Sequence, residues 1–152
     1  MKLSTKGRYA MIALADLAEH SQDKLVSLSA ISERQAISLA YLEQLFVKLR
    51  RAAIVASMRG PGGGYKLARP ASDIRISEIL AAVDETMDAL TRGGGAKGGE
   101  GDTEAQRQTE KLWEALSAHV YVMLHQTRLS DILQDQLAPC PAVPNLMQLV
   151  DE

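Results

Sequence analysis

ISERQAISLAYLEQLFVKLRRAAIVASMRGPGGGYKLAR, residues 31–69, is the stretch whose reading decides the fold. Within it Leu42, Leu45, Phe46 and Leu49 recur at helical spacing behind Ser38, which predicts a helix capped by that serine and running to about Ala53. Ser38, Ala40, Tyr41, Glu43, Gln44, Lys48 and Arg51 fall on its other side and form a surface turned away from any core. Beyond it, two strand-like pieces at about Val55–Met58 and Tyr65–Ala68 flank a loop of glycine and proline, which reads as a hairpin.

Upstream, Ser27 can cap a short helix through Gln35, and QAIS is then a tight connection into the next helix. Earlier still, Ser4 and Thr5 are candidate caps for a helix with the stripe Tyr9, Ile12, Ala13 and Leu17, ended by SQDK. Two helices, a tight turn, a third helix with a polar outer face and a glycine-rich hairpin make a winged helix-turn-helix. The fold class expected is mainly α with a small β-hairpin wing. In such a fold the third helix lies in the DNA major groove, and the hairpin tip reaches phosphates or the minor groove. Arg50, Arg51, Arg59, Lys66 and Arg69 sit on or beside those two elements. A solvated surface can carry as many charges; it is their position that points to double-stranded DNA.

Downstream, Ser72 or Asp73 precedes a short helix containing Ile76, Ile79, Leu80 and Val83. Arg92–Gly101 reads RGGGAKGGEG, in which six of ten residues are glycine, so ordering it costs much backbone entropy. A long helix from about Thr103 to Gln126 follows, with Leu112, Trp113, Leu116, Val120, Met123 and Leu124 in a broad apolar stripe. That stripe must pack on its own domain or on another copy of itself. A further short helix passes through Ile132 and Leu133, and the tail LAPCPAVPNLMQLV is extended until Asn145. The expected organisation is a winged helix-turn-helix domain (1–84), a glycine-rich sensing loop or linker (85–102), a dimerisation helix region (103–135) and a proline-rich tail (136–152).

The charge balance agrees once it is divided. The 152 residues carry a net charge of −2, which alone argues against a nucleic-acid binder. Residues 1–75 hold 12 Lys/Arg against 6 Asp/Glu, a balance of +6; residues 76–152 hold 5 against 13, a balance of −8. A basic half joined to an acidic half suggests one surface for an anionic partner. The single cysteine, Cys140, excludes an intramolecular disulfide and a multi-cysteine zinc site, and fits a reducing cytoplasm. No apolar run reaches membrane-span length and no signal-peptide core follows Met1, so a cytoplasmic protein with no membrane partner is expected. Gly62, Gly63 and Gly64 lack the Gly-Lys-Ser/Thr ending of a P-loop and read as turn and close-approach residues.

KGRYAMIALADLA (6–18), the stretch 31–69 and ISEILAAVDET (76–86) closely resemble the IscR family of bacterial transcription regulators. The match is dense from Met1 to about Asp88 and resumes at Lys111-Leu112-Trp113. The resemblance implies a homodimer that binds a palindromic operator, and an iron–sulfur cluster that tunes promoter choice in many members. It implies that Ser38, Tyr41, Glu43 and Gln44 face bases or nearby phosphates, with Lys48, Arg50, Arg51, Arg59 and Lys66 completing the DNA-binding set. The chemistry agrees: Gln can pair with adenine at two points, and Glu can accept from cytosine N4. Arg59, at the hairpin tip, is the candidate for insertion into a groove.

Cluster-binding relatives carry three cysteines and a histidine between the VDE segment and the Leu-Trp pair. Here residues 86–111 contain no cysteine, and Glu110 stands where the histidine would fall. The remaining cofactor or metal candidates are Cys140, His119, His125 and Glu110. His119 and His125, six apart on one helix, diverge by about 120°, and Glu110 and His119 lie on opposite sides. An atypical iron–sulfur site would therefore need Cys140 to fold back, or donors from a second subunit. Otherwise His119 is a helix residue beside the dimer seam, His125 an exposed one, and Cys140 a small apolar residue or an oxidisable thiol.

The function expected is a non-enzymatic, sequence-specific transcription regulator, in its leading form a repressor of iron–sulfur assembly or iron-homeostasis genes that responds to iron or redox state. The alternatives are a cluster-free winged-helix regulator under another effector, and a thiol redox protein acting through Cys140.

Overall fold

Ser27 and Ser38 both act as the helix caps their positions suggest, and the two helices they start build the centre of the fold. The computed structural model describes residues 4–85 and 102–137. Helix α1 (Thr5–His20) leads into α2 (Leu28–Gln35) and α3 (Leu39–Arg51). The Ser27 hydroxyl accepts the Ala30 N–H at 3.2 Å, and the Ser38 hydroxyl accepts the Tyr41 N–H at 3.4 Å. Between α2 and α3 the chain turns on Ala36 in the left-handed region (φ 53°), and Ile37 is buried behind it.

Helix α3 stops two residues short of the expected Ala53. Ala53 takes a left-handed φ of 57°, the Ile54 N–H reaches back to the Leu49 carbonyl, and the Ala53 N–H to Arg50. This is a Schellman termination with alanine where glycine is usual, so helix propensity gave no signal of the stop.

The wing is an antiparallel pair, β1 (Val55–Met58) and β2 (Gly64–Leu67), with Val55 opposite Leu67 and Met58 opposite Gly64. The second strand begins and ends one residue earlier than the sequence reading. A feature that reading lacked ties it down: Val26 forms a bridge to Tyr65, with N–H···O distances of 2.9 and 2.8 Å in the two directions. Gly64 permits this approach, because a Cβ there would lie 2.7 Å from the Val26 carbonyl oxygen.

Ser72 and Asp73 precede the next helix, as read, from within a 3₁₀ turn, Ala71–Asp73. Helix α4 (Ile76–Ala82) starts after Arg75, whose N–H is accepted by the Glu78 carboxylate at 2.9 Å. Helices α5 (Glu104–Gln126) and α6 (Leu129–Leu133) complete the described chain. The Thr103 hydroxyl and Gln106 side chain bond each other's backbone N–H, forming the capping box of α5.

One apolar cluster joins α1 to α4, with Phe46, Leu14, Leu17, Ile31, Ile54 and Ile79 wholly buried. Leu129 of α6 is equally buried in it, and Arg75 and Arg128 form a bridge beside it. The described C-terminal residues thus attach to the winged core through α6 and the C-terminal end of α5. Helix α5 has no buried residue; Leu112, Trp113, Leu116 and Met123 are exposed, while Leu124 packs against the core.

Candidate nucleic-acid interface

Four core-facing side chains, Leu42, Leu45, Phe46 and Leu49, set the roll of α3. At 100° per residue this turns Ala40, Gln44, Val47 and Arg51 away from the core, with Glu43 beside them. Glu43, Gln44 and Arg51 are exposed and have no side-chain partner among the described residues. Ser38 is exposed at the start of the helix, and its capping role leaves the hydroxyl proton available to an acceptor.

The flanks of α3 are held. Tyr41 is half-buried and meets Tyr9 of α1 edge-on, with ring centroids 5.6 Å apart. One turn on from Gln44, the Lys48 ammonium donates to Asp84 at 2.5 Å. On the opposite flank Arg50 lies 3.5 Å from the Ser57 hydroxyl of β1. The outward ridge thus carries Ser38, Glu43, Gln44 and Arg51, while Tyr41, Lys48 and Arg50 brace it.

The wing extends this surface. Tyr65 packs edge-on to Phe46 at 5.0 Å and fixes the hairpin to the core. Arg59 at the tip and Lys66 on β2 are exposed and without side-chain partners among the described residues. Arg69 is committed elsewhere: its guanidinium donates to the Ala53 carbonyl at 3.3 Å, the Asp73 carbonyl at 2.9 Å and Glu78 at 3.3 Å. It joins the base of the wing to α4, a positioning role that a count of basic residues does not reveal.

A second network fixes α1 against α2. Asp16 is buried and takes Arg34 in two-point fashion, Nε at 3.0 Å and Nη2 at 2.7 Å, together with the Gln35 amide at 2.7 Å. Burial pushes the Asp16 carboxyl up. The Arg34 and Gln35 hydrogen bonds, with the charges of Arg34 and His20, reverse this and hold it below its ordinary value. The sequence signal was present: a carboxylate within the apolar run of α1, between Leu14 and Leu17.

The sequence matches the profile of the Rrf2 family, described as an iron-dependent transcriptional regulator, over residues 3–135. The chain belongs to the Rrf2 family. This Rrf2 regulator is 65% identical to the HTH-type transcriptional regulator IscR of Cereibacter sphaeroides, over its whole length and 99% of that protein. It is 50% identical to IscR of Vibrio atlanticus, over 89% of this chain and 76% of that one. The solved structure of T. potens IscR superposes with a TM-score of 0.69 at 38% identity, covering 92% of this chain and 94% of that one. CymR (YrzC), the global cysteine regulator of B. subtilis, gives 0.72 at 28% identity, covering 89% and 98%. The protein is a DNA-binding transcription regulator of the IscR type, with a winged-helix fold, and these relatives are regulators rather than enzymes.

The described residues do not fit an iron–sulfur cluster. Glu110 and His119 are exposed on α5, pointing to opposite sides. The His125 ring stacks on Tyr121 with centroids 5.5 Å apart, and its Nδ1 lies 3.1 Å from the Ser77 hydroxyl. Among the described residues no three His, Cys, Asp or Glu side chains are grouped to hold a metal. Cys140, the tail from residue 138 onward and the glycine-rich stretch 92–101 lie outside the described residues. Among the described residues, no helix is long and apolar enough to cross a membrane.

Proposed function

We propose that this protein regulates transcription as a homodimer that reads a palindromic operator with two winged domains, one per half-site. The observation that carries the reading is the outward ridge of α3 beside a wing whose tip arginine is unpaired among the described residues. Gln44 and Glu43 select bases, Glu43 at some expense of affinity because it repels phosphates. Ser38, Arg51 and Lys66 position the domain on the backbone, and Arg59 enters the adjacent groove. Tyr41, Lys48 and Arg50, on the flanks, reach phosphates along the groove edge. Ala40 offers no hydroxyl, so any contact made through one from that position is absent here.

Two copies meet along the exposed α5 face of Leu112, Leu116 and Met123, and two-fold symmetry matches that of the operator. The regulator acts in the cytoplasm as a repressor of iron–sulfur or iron-homeostasis genes, an assignment supported by the family's description and the relatives' name. Fluorescence anisotropy on a palindromic promoter fragment tests the reading. Binding should weaken steeply with salt and retain a preference over scrambled DNA. Equal affinity for any duplex defeats it.

A second reading, a winged regulator that binds DNA without a cluster, is favoured by the scatter of donor side chains among the described residues. An atypical cluster held by Cys140, with His119 or Glu110 donated by one or both subunits, is the competing proposal. Iron content and visible absorbance after anaerobic reconstitution separate the two. Coloured, iron-loaded protein that Cys140→Ala leaves colourless supports the cluster; colourless native protein supports the second reading.

A further inference from the structure

The last described residues before the glycine-rich stretch are two carboxylates, and both are spent on the DNA-reading domain. Asp84 sits just past α4 in the left-handed region (φ 57°) and takes the Lys48 ammonium of α3. Glu85 accepts the Gly7 N–H at 3.1 Å and the Ser4 hydroxyl at the start of α1. The Lys48 contact holds the Asp84 carboxyl below its ordinary range, and Lys6 adds to the effect. Lys48 lies on a flank of α3, one turn beyond Gln44, where a lysine freed from its partner meets the phosphates lining a major groove.

We propose that Asp84 is an internal competitor with DNA phosphate for Lys48, a brake on operator affinity set where the chain leaves the reading domain. The proposal rests on α3 docking in the groove, as argued above. Three features make the pair suited to exchange. Its members are separated by 36 residues, so it joins α3 to the far end of α4 rather than stabilising one helix. Asp84 is 69% exposed and Lys48 37%, so water and salt already weaken the bond. Glu85 anchors the neighbouring residue to α1, so Asp84 is presented to Lys48 from a fixed backbone. A carboxylate takes the place a phosphate oxygen would occupy, and DNA must displace it to gain that cation.

Asp84→Asn is the direct test, since asparagine tolerates the left-handed backbone and keeps the side chain's shape. Wild-type binding and its salt slope, measured first, test groove docking itself; the variants then test only the brake. Asp84→Asn should bind a palindromic promoter duplex about two- to five-fold more tightly at matched salt. Its salt slope should stay within about one unit of the wild-type slope, because DNA gains the same lysine in both proteins once the carboxylate is displaced. Removing any nearby negative charge favours DNA, so the decisive measurement is the same substitution in a Lys48→Met background. There the gain should shrink to little or nothing. An equal gain in both backgrounds, or unchanged or weaker binding by Asp84→Asn with wild-type binding intact, overturns the brake.

Discussion

At the scale of single residues, Arg59 gives the proposed DNA contact its sharpest test. It stands at the wing tip with no side-chain partner among the described residues, so its charge is available without breaking anything inside the fold. Arg59→Ala should weaken operator binding by about 1–3 kcal/mol in anisotropy titrations at matched salt, with thermal stability unchanged. Unchanged affinity would remove it from the groove. The outward residues of α3 were legible for a simple reason: an apolar stripe four residues wide determines which side of a helix is wet. The fates of Lys48 and Arg69 were not. Their partners Asp84 and Glu78 lie 36 and 9 residues away, and no periodicity links a lysine on one helix to the end of another. A basic residue near α3 can stand free, as Arg51 does, or hold a neighbouring element, as Lys48 and Arg69 do, and only the tertiary contact tells them apart.

At the scale of elements, the helix-turn-helix is held by packing and by one buried charge network. Asp16 lies wholly inside, Arg34 remains about one-third exposed, and Gln35 completes the set at the end of α2. Asp16→Ala leaves Arg34 able to turn to water, so the loss should fall below the ~3–5 kcal/mol of a fully buried pair, at about 2–3 kcal/mol. Urea unfolding of the two proteins measures it. The same group makes the fold sensitive to acid. Its folded pKa is depressed below the ordinary 3.8, so its contribution is complete above that value and lost as pH falls through the lower, folded one. Glu85 is depressed below 4.5 as well, where the Ser4 and Gly7 hydrogen bonds outweigh burial. Wild-type stability should therefore fall as the pH is taken below the ordinary carboxylate range, and Asp16→Ala should show a shallower fall. Helix starts were readable from Ser27 and Ser38, whose hydroxyls cap as expected, whereas Ser4 precedes α1 without capping it and donates its hydroxyl to Glu85 instead. The wing's third partner, Val26, was not, because a single bridging residue in a loop leaves no alternating pattern to find.

At the scale of the whole molecule, the near-neutral net charge conceals a division of labour that the fold makes physical. The basic half supplies the reading helix and the wing, and the acidic half supplies α5, which lies against the core only near its C-terminal end. Leu112 is 58% exposed and Met123 59%, on the same face as Leu116, which is more apolar surface than a helix in water sustains without a partner. A second copy is the partner proposed for that face, and the spacings of four and seven suit a helix-to-helix seam. Leu116→Glu with Met123→Glu puts charge into the seam without touching the buried core. The double variant should sediment as a monomer, keep its helical circular dichroism, and bind a palindromic operator on the order of 100-fold more weakly, because the second half-site is no longer tethered. Its salt slope should fall towards half, since one domain neutralises half the phosphates. A variant that stays dimeric would move the seam to another surface. A monomer with undiminished affinity would show that one winged domain suffices, and that operator symmetry plays no part in recognition.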